Sequence, residues 1–139
     1  MRVFLDANVL FSAAHREAGS VRAFFALAQA GACELWSSAY ALDEARRNIG
    51  VKHPDRIAAL ESLLRQIAVC REATPATLAW AAAQRLPSKD APILAAAVDA
   101  RCHLLVTGDR THFGALFGRK LRGTVVMLPV DAIGLLVGD

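Results

Sequence analysis

Long apolar runs are missing from this sequence, and none approaches the roughly eighteen residues that a bilayer-spanning helix requires. After Met1 the sequence runs directly into Arg2 and a strand-like pattern, and we expect no secretory leader with its charged and then apolar regions. We therefore expect neither a membrane association nor export, and we predict that the protein acts in the cytoplasm.

Cysteine is also scarce. Cys33, Cys70 and Cys102 are widely spaced, with no C-x-x-C pair and no histidine at zinc-finger spacing. This pattern argues against a disulfide framework and against a structural zinc site. Each cysteine lies in an apolar stretch, which predicts that all three are buried as small hydrophobic residues.

The signatures of several enzyme classes do not occur. The chain contains neither G-x-G-x-x-G nor G-x-x-x-x-G-K-[ST], and G-x-S-x-G and H-E-x-x-H are likewise missing. Dinucleotide-binding and P-loop functions are therefore disfavoured, as are serine hydrolase and zincin chemistry.

What is present fits one globular domain over residues 1–139. The hydrophobic content of 55% and the mean hydropathy of +0.34 lie slightly above those of a typical domain, which favours several fully buried strands and a homodimer interface. The net charge of +3 favours a polyanionic partner without identifying it.

Short apolar runs alternate along the chain with longer segments of helical periodicity. The runs predict five strands, at 3–5, 33–36, 67–70, 104–106 and 124–128, of which the first and the fourth are expected to be buried. The longer segments predict helices at 20–30 behind a Ser20 cap, and at 38–48, 55–66, 74–84, 91–101 and after Pro129. Exposed loops are predicted at 48–54, 86–90 and 117–123. Parallel strands need crossovers of this length, so we predict an α/β fold: a three-layer α/β/α sandwich with a mostly parallel five-stranded sheet.

Two aspartates directly follow predicted strands. Asp6 ends the first apolar run, and Asp109 comes shortly after the run at 104–106. In open α/β sheets this edge is where ligands gather. Each aspartate could instead cap the helix that follows it. Two neighbouring carboxylates repel each other unless a cation or a proton neutralises them, so such a pair favours a metal or acid/base site.

Two further acidic positions are ambiguous from the residues alone. Asp90 precedes the apolar helix at 91–101, where capping explains it without any further role. Glu44 and Asp43 are adjacent on the helix at 38–48 and cannot share a face, since neighbouring helical residues diverge by about 100°. Periodicity does not choose between them.

Four segments in order resemble the PIN-domain nucleases: VFLDANVL at 3–10, SAYALDE at 38–44, KDAPILAAA at 89–97 and VTGD at 106–109. The resemblance covers nearly the whole chain, and its strength lies in the ordered set. It implies an acidic site for Mg²⁺ or Mn²⁺, with both catalytic and metal-binding roles on Asp6, Glu44 rather than Asp43, Asp90 and Asp109, and polar support from Asn8 and Thr107.

The resemblance also implies an activity and partners. The substrate would be RNA, cut endonucleolytically by hydrolysis to leave a 5′-phosphate and a 3′-hydroxyl. Small free-standing members resemble the toxin half of bacterial toxin and antitoxin pairs, which implies an antitoxin partner. Some PIN domains place another aspartate just after the fourth carboxylate, where this chain has Arg110, Thr111 and His112, so a second metal is not implied.

Basic residues lie close to these acidic positions in the sequence. They could contact an RNA backbone, the candidates being Arg46, Arg47, Lys89 and Arg110. Ordinary solvated charges would explain any one of them equally well. The four histidines are expected at the surface, with only His112 near a candidate carboxylate.

Three other functions stay open at this stage. A housekeeping RNA-processing nuclease would share the chemistry without an inhibitor. A receiver-like phosphoacceptor domain also binds Mg²⁺ at a strand-end aspartate, but it leaves Glu44 and Asp90 without a role and needs a lysine on a late strand. A degenerate PIN fold kept as a binding module would have lost some of the four carboxylates, and all four are present.

Overall fold

The computed structural model describes residues 1–16 and 19–138. The strands are β1 (Arg2–Leu5), β2 (Glu34–Ser38), β3 (Ala68–Cys70), β4 (Leu104–Val106), β5 (Lys120–Leu121) and β6 (Thr124–Met127). The helices are α1 (Ala7–His15), α2 (Ala23–Gln29), α3 (Ala39–Lys52), α4 (Ile57–Leu64), α5 (Pro75–Ala82), α6 (Ala91–Asp99), α7 (Arg110–Phe113) and α8 (Pro129–Leu136). Three short 3-10 turns precede α2 and α4 and follow α7.

The six strands form one sheet in the order β3-β2-β1-β4-β6-β5. All neighbours are parallel except β5 and β6. Strand β1 lies at the centre, with Leu5 opposite Val106 of β4. The residues that follow β1 and β4 therefore emerge side by side at one edge of the sheet.

Alternation along the strands divides the core between two faces. Val3 and Leu5 pack with α1, α2, α3, α4 and α8 on one face. Phe4 points the other way and packs with α5, α6 and the segment around Phe113. Helices thus cover both faces of the sheet, and the predicted α/β/α architecture is confirmed.

Two predicted loops contain regular structure. Helix α3 continues to Lys52 through the segment predicted as a loop from residue 48, because the fully buried Ile49 extends its apolar stripe by another turn. The sheet also has a sixth strand, β5, within the predicted loop at 117–123. Arg122 and Gly123 both have positive φ and form the two-residue turn between β5 and β6. Such a turn suits an antiparallel hairpin, and an arginine there gives little warning of it.

Two smaller expectations need correction. Ser20 does not cap α2, since it opens a 3-10 turn whose N-cap is Gly19, with no side-chain hydrogen bond. All three cysteines are free thiols, but Cys70 is only partly buried because it lies on the edge strand β3. Within residues 1–16 and 19–138, no helix is long and apolar enough to cross a bilayer.

Candidate active site

Asp6 and Thr107 stand side by side where β1 and β4 end. The Asp6 backbone N–H donates to the Val106 carbonyl at 3.0 Å, which continues the parallel pairing past the last strand residue. Asp6 is buried, and its Oδ1 accepts the Ala7 N–H at 2.7 Å. It therefore caps α1 with one oxygen and keeps Oδ2 turned toward the neighbouring strand.

Thr107 and Asn8 hold that second oxygen. The Thr107 hydroxyl donates to Asp6 Oδ2 at 2.8 Å and accepts the Asp109 backbone N–H at 3.2 Å. The Asn8 Nδ2 lies 3.2 Å from Asp6 Oδ2 and 3.1 Å from Thr107 Oγ1, and Asn8 Oδ1 accepts the Gly108 N–H at 2.9 Å. The two predicted supporting residues thus join the ends of both strands in one network around Asp6.

Burial makes the Asp6 carboxylate costly to ionise. Desolvation raises its pKa from 3.8 to about 6. The hydrogen bonds from Thr107 and Ala7 act in the opposite direction, and the negative charges of Glu44 and Asp90 add to the rise. The repulsion also shows that both acidic groups lie within electrostatic range of Asp6.

Helix α3 presents Glu44, and not Asp43, toward Asp6. Leu42 and Ala45 are buried against the sheet, and Glu44 is half-buried beside them. Asp43 is exposed and pairs with Arg46 at 3.3 Å on the outer surface. The choice that periodicity left open is therefore decided by how α3 packs.

Asp90 sits at the N-cap position of α6, yet its side chain makes no capping hydrogen bond. Its Oδ2 instead lies 2.9 Å from His112 Nδ1. Burial raises the pKa of Asp90, while the nearby charges of His112 and Lys89 oppose that rise. Capping, which explains the position in sequence terms, does not account for the side chain.

Asp109 meets the same imidazole from the other side. Its Oδ2 lies 2.8 Å from His112 Nδ1, and its Oδ1 accepts the His112 backbone N–H at 2.9 Å as the cap of α7. Both contacts at Nδ1 are short, but neither meets the angular criteria of a hydrogen bond. His112 therefore bridges Asp90 and Asp109 by proximity and by charge when it is protonated.

Asp90 and Asp109 contact the same imidazole, and Glu44 and Asp90 lie within electrostatic range of Asp6. We call these four predicted carboxylates the acidic cluster: Asp6, Glu44, Asp90 and Asp109. The four basic candidates differ in their surroundings. Arg46 is held by Glu61 at 2.9 Å as well as by Asp43. Arg47, Lys89 and Arg110 have exposed side chains.

Sequence reasoning undervalued two residues at this site. His112 was expected at the surface, whereas only 30% of its side chain is exposed and it bridges two carboxylates. Its spacing of three residues from Asp109 within a short helix was the available signal. Tyr40 was not singled out. It lies one turn before Glu44 on α3, and its hydroxyl donates to the Lys89 carbonyl at 2.7 Å.

Fold and site together define the class. Residues 2–111 match the family model of the PIN domain, and the chain belongs to this family. Comparison with curated protein sequences gives no significant match.

Two solved structures share the fold. The chain is similar to one in VapBC2 from Rickettsia felis bound to a DNA fragment from its promoter, with 15% identity and a TM-score of 0.69, covering 92% of this chain and 98% of the other. It is also similar to one in FitAB bound to an IR36 DNA fragment, with 21% identity and a TM-score of 0.62, covering 91% and 94%. The family expected from sequence is confirmed.

Proposed function

We propose that this chain is a divalent-metal-dependent endoribonuclease that hydrolyses RNA phosphodiester bonds. The observation that carries the proposal is the convergence of the acidic cluster. Asp90 and Asp109 contact the same nitrogen, and Glu44 and Asp90 both act electrostatically on the buried Asp6. Acidic groups this close repel one another unless a cation joins them.

The donor chemistry fits a hard cation. The acidic cluster offers carboxylate oxygens, which are the ligands that Mg²⁺ and Mn²⁺ prefer, and it contains no cysteine. Ligand atoms of Asp90, Asp109 and His112 lie within 4.8 Å of one another. All four carboxylates would hold the ion, which would supply a water of lowered pKa and would stabilise negative charge on the phosphoryl oxygens.

The protein's own residues prepare this site. Thr107 and Asn8 fix the orientation of the Asp6 carboxylate before any ligand arrives. His112 lies between Asp90 and Asp109 and, when it is protonated, offsets part of their repulsion. Preorganised charge of this kind costs no rearrangement during the reaction. The exposed side chains of Arg47, Lys89 and Arg110 are available for phosphates on either side of the cut.

The substrate and products follow from the family resemblance. Water would attack the phosphorus atom, the bond to the 3′ oxygen would break, and that oxygen would take up a proton. The products are a 5′-phosphate and a 3′-hydroxyl. Since RNA is the proposed substrate, we place the protein in the cytoplasm.

We further propose that the chain is the toxin of a toxin and antitoxin pair and that it forms a homodimer. The two similar structures support the toxin assignment, because VapBC2 and FitAB are both complexes bound to DNA. A partner protein that covers the acidic cluster would inhibit cleavage. A housekeeping nuclease would instead act without such a partner.

The test compares two adjacent acidic residues on α3. Glu44→Gln and Asp90→Asn should each lower Mn²⁺-dependent RNA cleavage by about 100-fold or more. Asp43→Asn, which changes an exposed carboxylate outside the acidic cluster, should cleave like the parent. Circular dichroism verifies that each variant is folded, and mapping of the cut ends identifies the products. Undiminished cleavage by the Asp90→Asn variant would overturn the proposal, as would cleavage that survives EDTA.

A further inference from the structure

A small open cavity of about 190 Å³ lies beside the acidic cluster. It is well below the roughly 300–1,000 Å³ of pockets that enclose drug-sized ligands, and it suits a single planar ring system. The residues that line it include Ser38, Tyr40, Glu72, Ala73, Leu78 and Pro92. We call it the α3–α6 pocket, after the two helices that supply Tyr40 and Pro92.

The α3–α6 pocket and the acidic cluster share a wall. Tyr40 lies one helical turn before Glu44, and its hydroxyl is bonded to the Lys89 carbonyl, immediately before Asp90. Pro92 lies in the first turn of α6, two residues after Asp90. The α3–α6 pocket is therefore the adjacent cavity for a base that neighbours a phosphate held at the acidic cluster.

The lining combines one aromatic ring, an apolar surface and one charged acceptor. Tyr40 and Leu78 are each 40% exposed, so a ligand in the pocket can reach both side chains. Glu72 also lines the pocket and carries a carboxylate. That charge repels phosphate but accepts hydrogen bonds from the amino groups of a base.

We propose that the α3–α6 pocket binds one nucleobase of the RNA next to the scissile phosphate, and that it prefers guanine. Tyr40 would offer its ring for stacking, and Glu72 would accept hydrogen bonds from the edge of the base. The inference rests on the proposed nuclease function and adds a base preference to it.

Guanine follows from the geometry of donors. It presents two adjacent donors, N1–H and the 2-amino group, which match the two oxygens of one carboxylate. Adenine and cytosine each present a single amino group beside an acceptor. Uracil presents N3–H between two carbonyl oxygens, which the Glu72 carboxylate would repel. The expected order is therefore guanine first and uracil last.

The test uses short single-stranded RNAs that are identical except for the base on one side of the cut, with each side scanned in turn. In Mn²⁺, the wild-type protein should show a kcat/KM at least about ten-fold higher for guanine than for uracil at one of the two positions. Glu72→Gln should reduce that ratio to below about three-fold, because the amide keeps only one acceptor. Glu34→Gln is the matched control. Glu34 is exposed at the start of β2, whereas the pocket residue Ser38 ends that strand, so this variant should keep the ratio.

Two variants of Tyr40 separate the contribution of ring stacking from that of the hydroxyl hydrogen bond. Tyr40→Ala should raise KM for every substrate, whereas Tyr40→Phe keeps the ring and should retain the parent KM. Equal rates with all four bases at both positions would overturn the pocket and leave the nuclease proposal standing, as would an unchanged ratio in Glu72→Gln. Failure of the wild type to cleave any of the RNAs would overturn both.

Discussion

The acidic cluster has two halves that are built differently. Around Asp6, neutral donors from Thr107 and Asn8 hold a buried carboxylate in a closed network. Around Asp90 and Asp109, one partly exposed imidazole bridges two carboxylates with poor hydrogen-bond angles. The first half is rigid because its groups satisfy one another. The second is held by an imidazole that is charged only when it is protonated, and a cation could take its place.

The largest effect is expected from neutralising Asp6 in metal-free protein. Burial raises the pKa of Asp6 from 3.8 to about 6, so the folded state binds a proton there more tightly than the unfolded chain does. This group therefore favours folding below the unfolded pKa, and that stability is lost as the pH rises toward about 6. The Asp6→Asn variant has no such carboxylate to ionise. Between about pH 4 and about pH 7, its free energy of unfolding should therefore rise relative to that of the parent by on the order of 3 kcal/mol.

Urea denaturation in EDTA at several pH values measures this difference. Asp43→Asn serves as the control, since Asp43 is exposed and lies outside the acidic cluster. A parallel pH dependence of Asp6→Asn and the parent would show that ionising the buried Asp6 carboxylate does not destabilise the fold.

Removing the Thr107 hydroxyl should disrupt the hydrogen-bond network around Asp6. Thr107→Val keeps the shape of this fully buried side chain but removes a donor to Asp6 and an acceptor for Asn8 and Asp109. We expect a loss of about 1–3 kcal/mol in the free energy of unfolding, with or without Mn²⁺. Thr107→Ser retains the hydroxyl and should keep most of that stability. Equal losses in the two variants would mean that packing of the methyl group, and not the hydrogen bonds, is what matters.

The half around Asp90 and Asp109 should respond differently to a cation. His112→Ala removes the group that faces Asp90 and Asp109. It should lower the free energy of unfolding by about 1 kcal/mol in metal-free protein. Saturating Mn²⁺ should remove most of that difference, because the cation takes over the neutralising role. Thermal denaturation with EDTA and with Mn²⁺ compares the two conditions, and an identical loss in both would contradict the distinction between the halves.

The smallest effects concern the basic surface. Arg46 is already paired with Glu61 and Asp43, so Arg46→Ala should change RNA affinity by less than about two-fold and stability by roughly 0.2–1 kcal/mol. Arg47→Ala should lower the slope of log affinity against log salt by about one. Binding isotherms at several salt concentrations, with Asp90→Asn in the background to prevent cleavage, separate the two. Equal salt slopes in both variants would contradict the assignment.

Most of the fold was predictable because strand and helix periods are local properties of the sequence. The five predicted strands and the helices are present. The errors fall where tertiary contacts overrode the local pattern. Buried Ile49 carried α3 past a predicted loop, and an arginine with positive φ closed an unforeseen hairpin.

By itself, the sequence determined which residues end strands β1 and β4, which family the chain resembles, and that four carboxylates were candidates. Tertiary structure alone decided that the Asp90 side chain makes no capping hydrogen bond, that His112 lies between two carboxylates, and that Arg46 is paired with Glu61. The physical reason is that periodicity assigns a residue to a face of its own element. The side chains that this face meets depend on how distant elements pack. The resulting burial, together with the charges nearby, shifts the pKa of Asp6 and of Asp90.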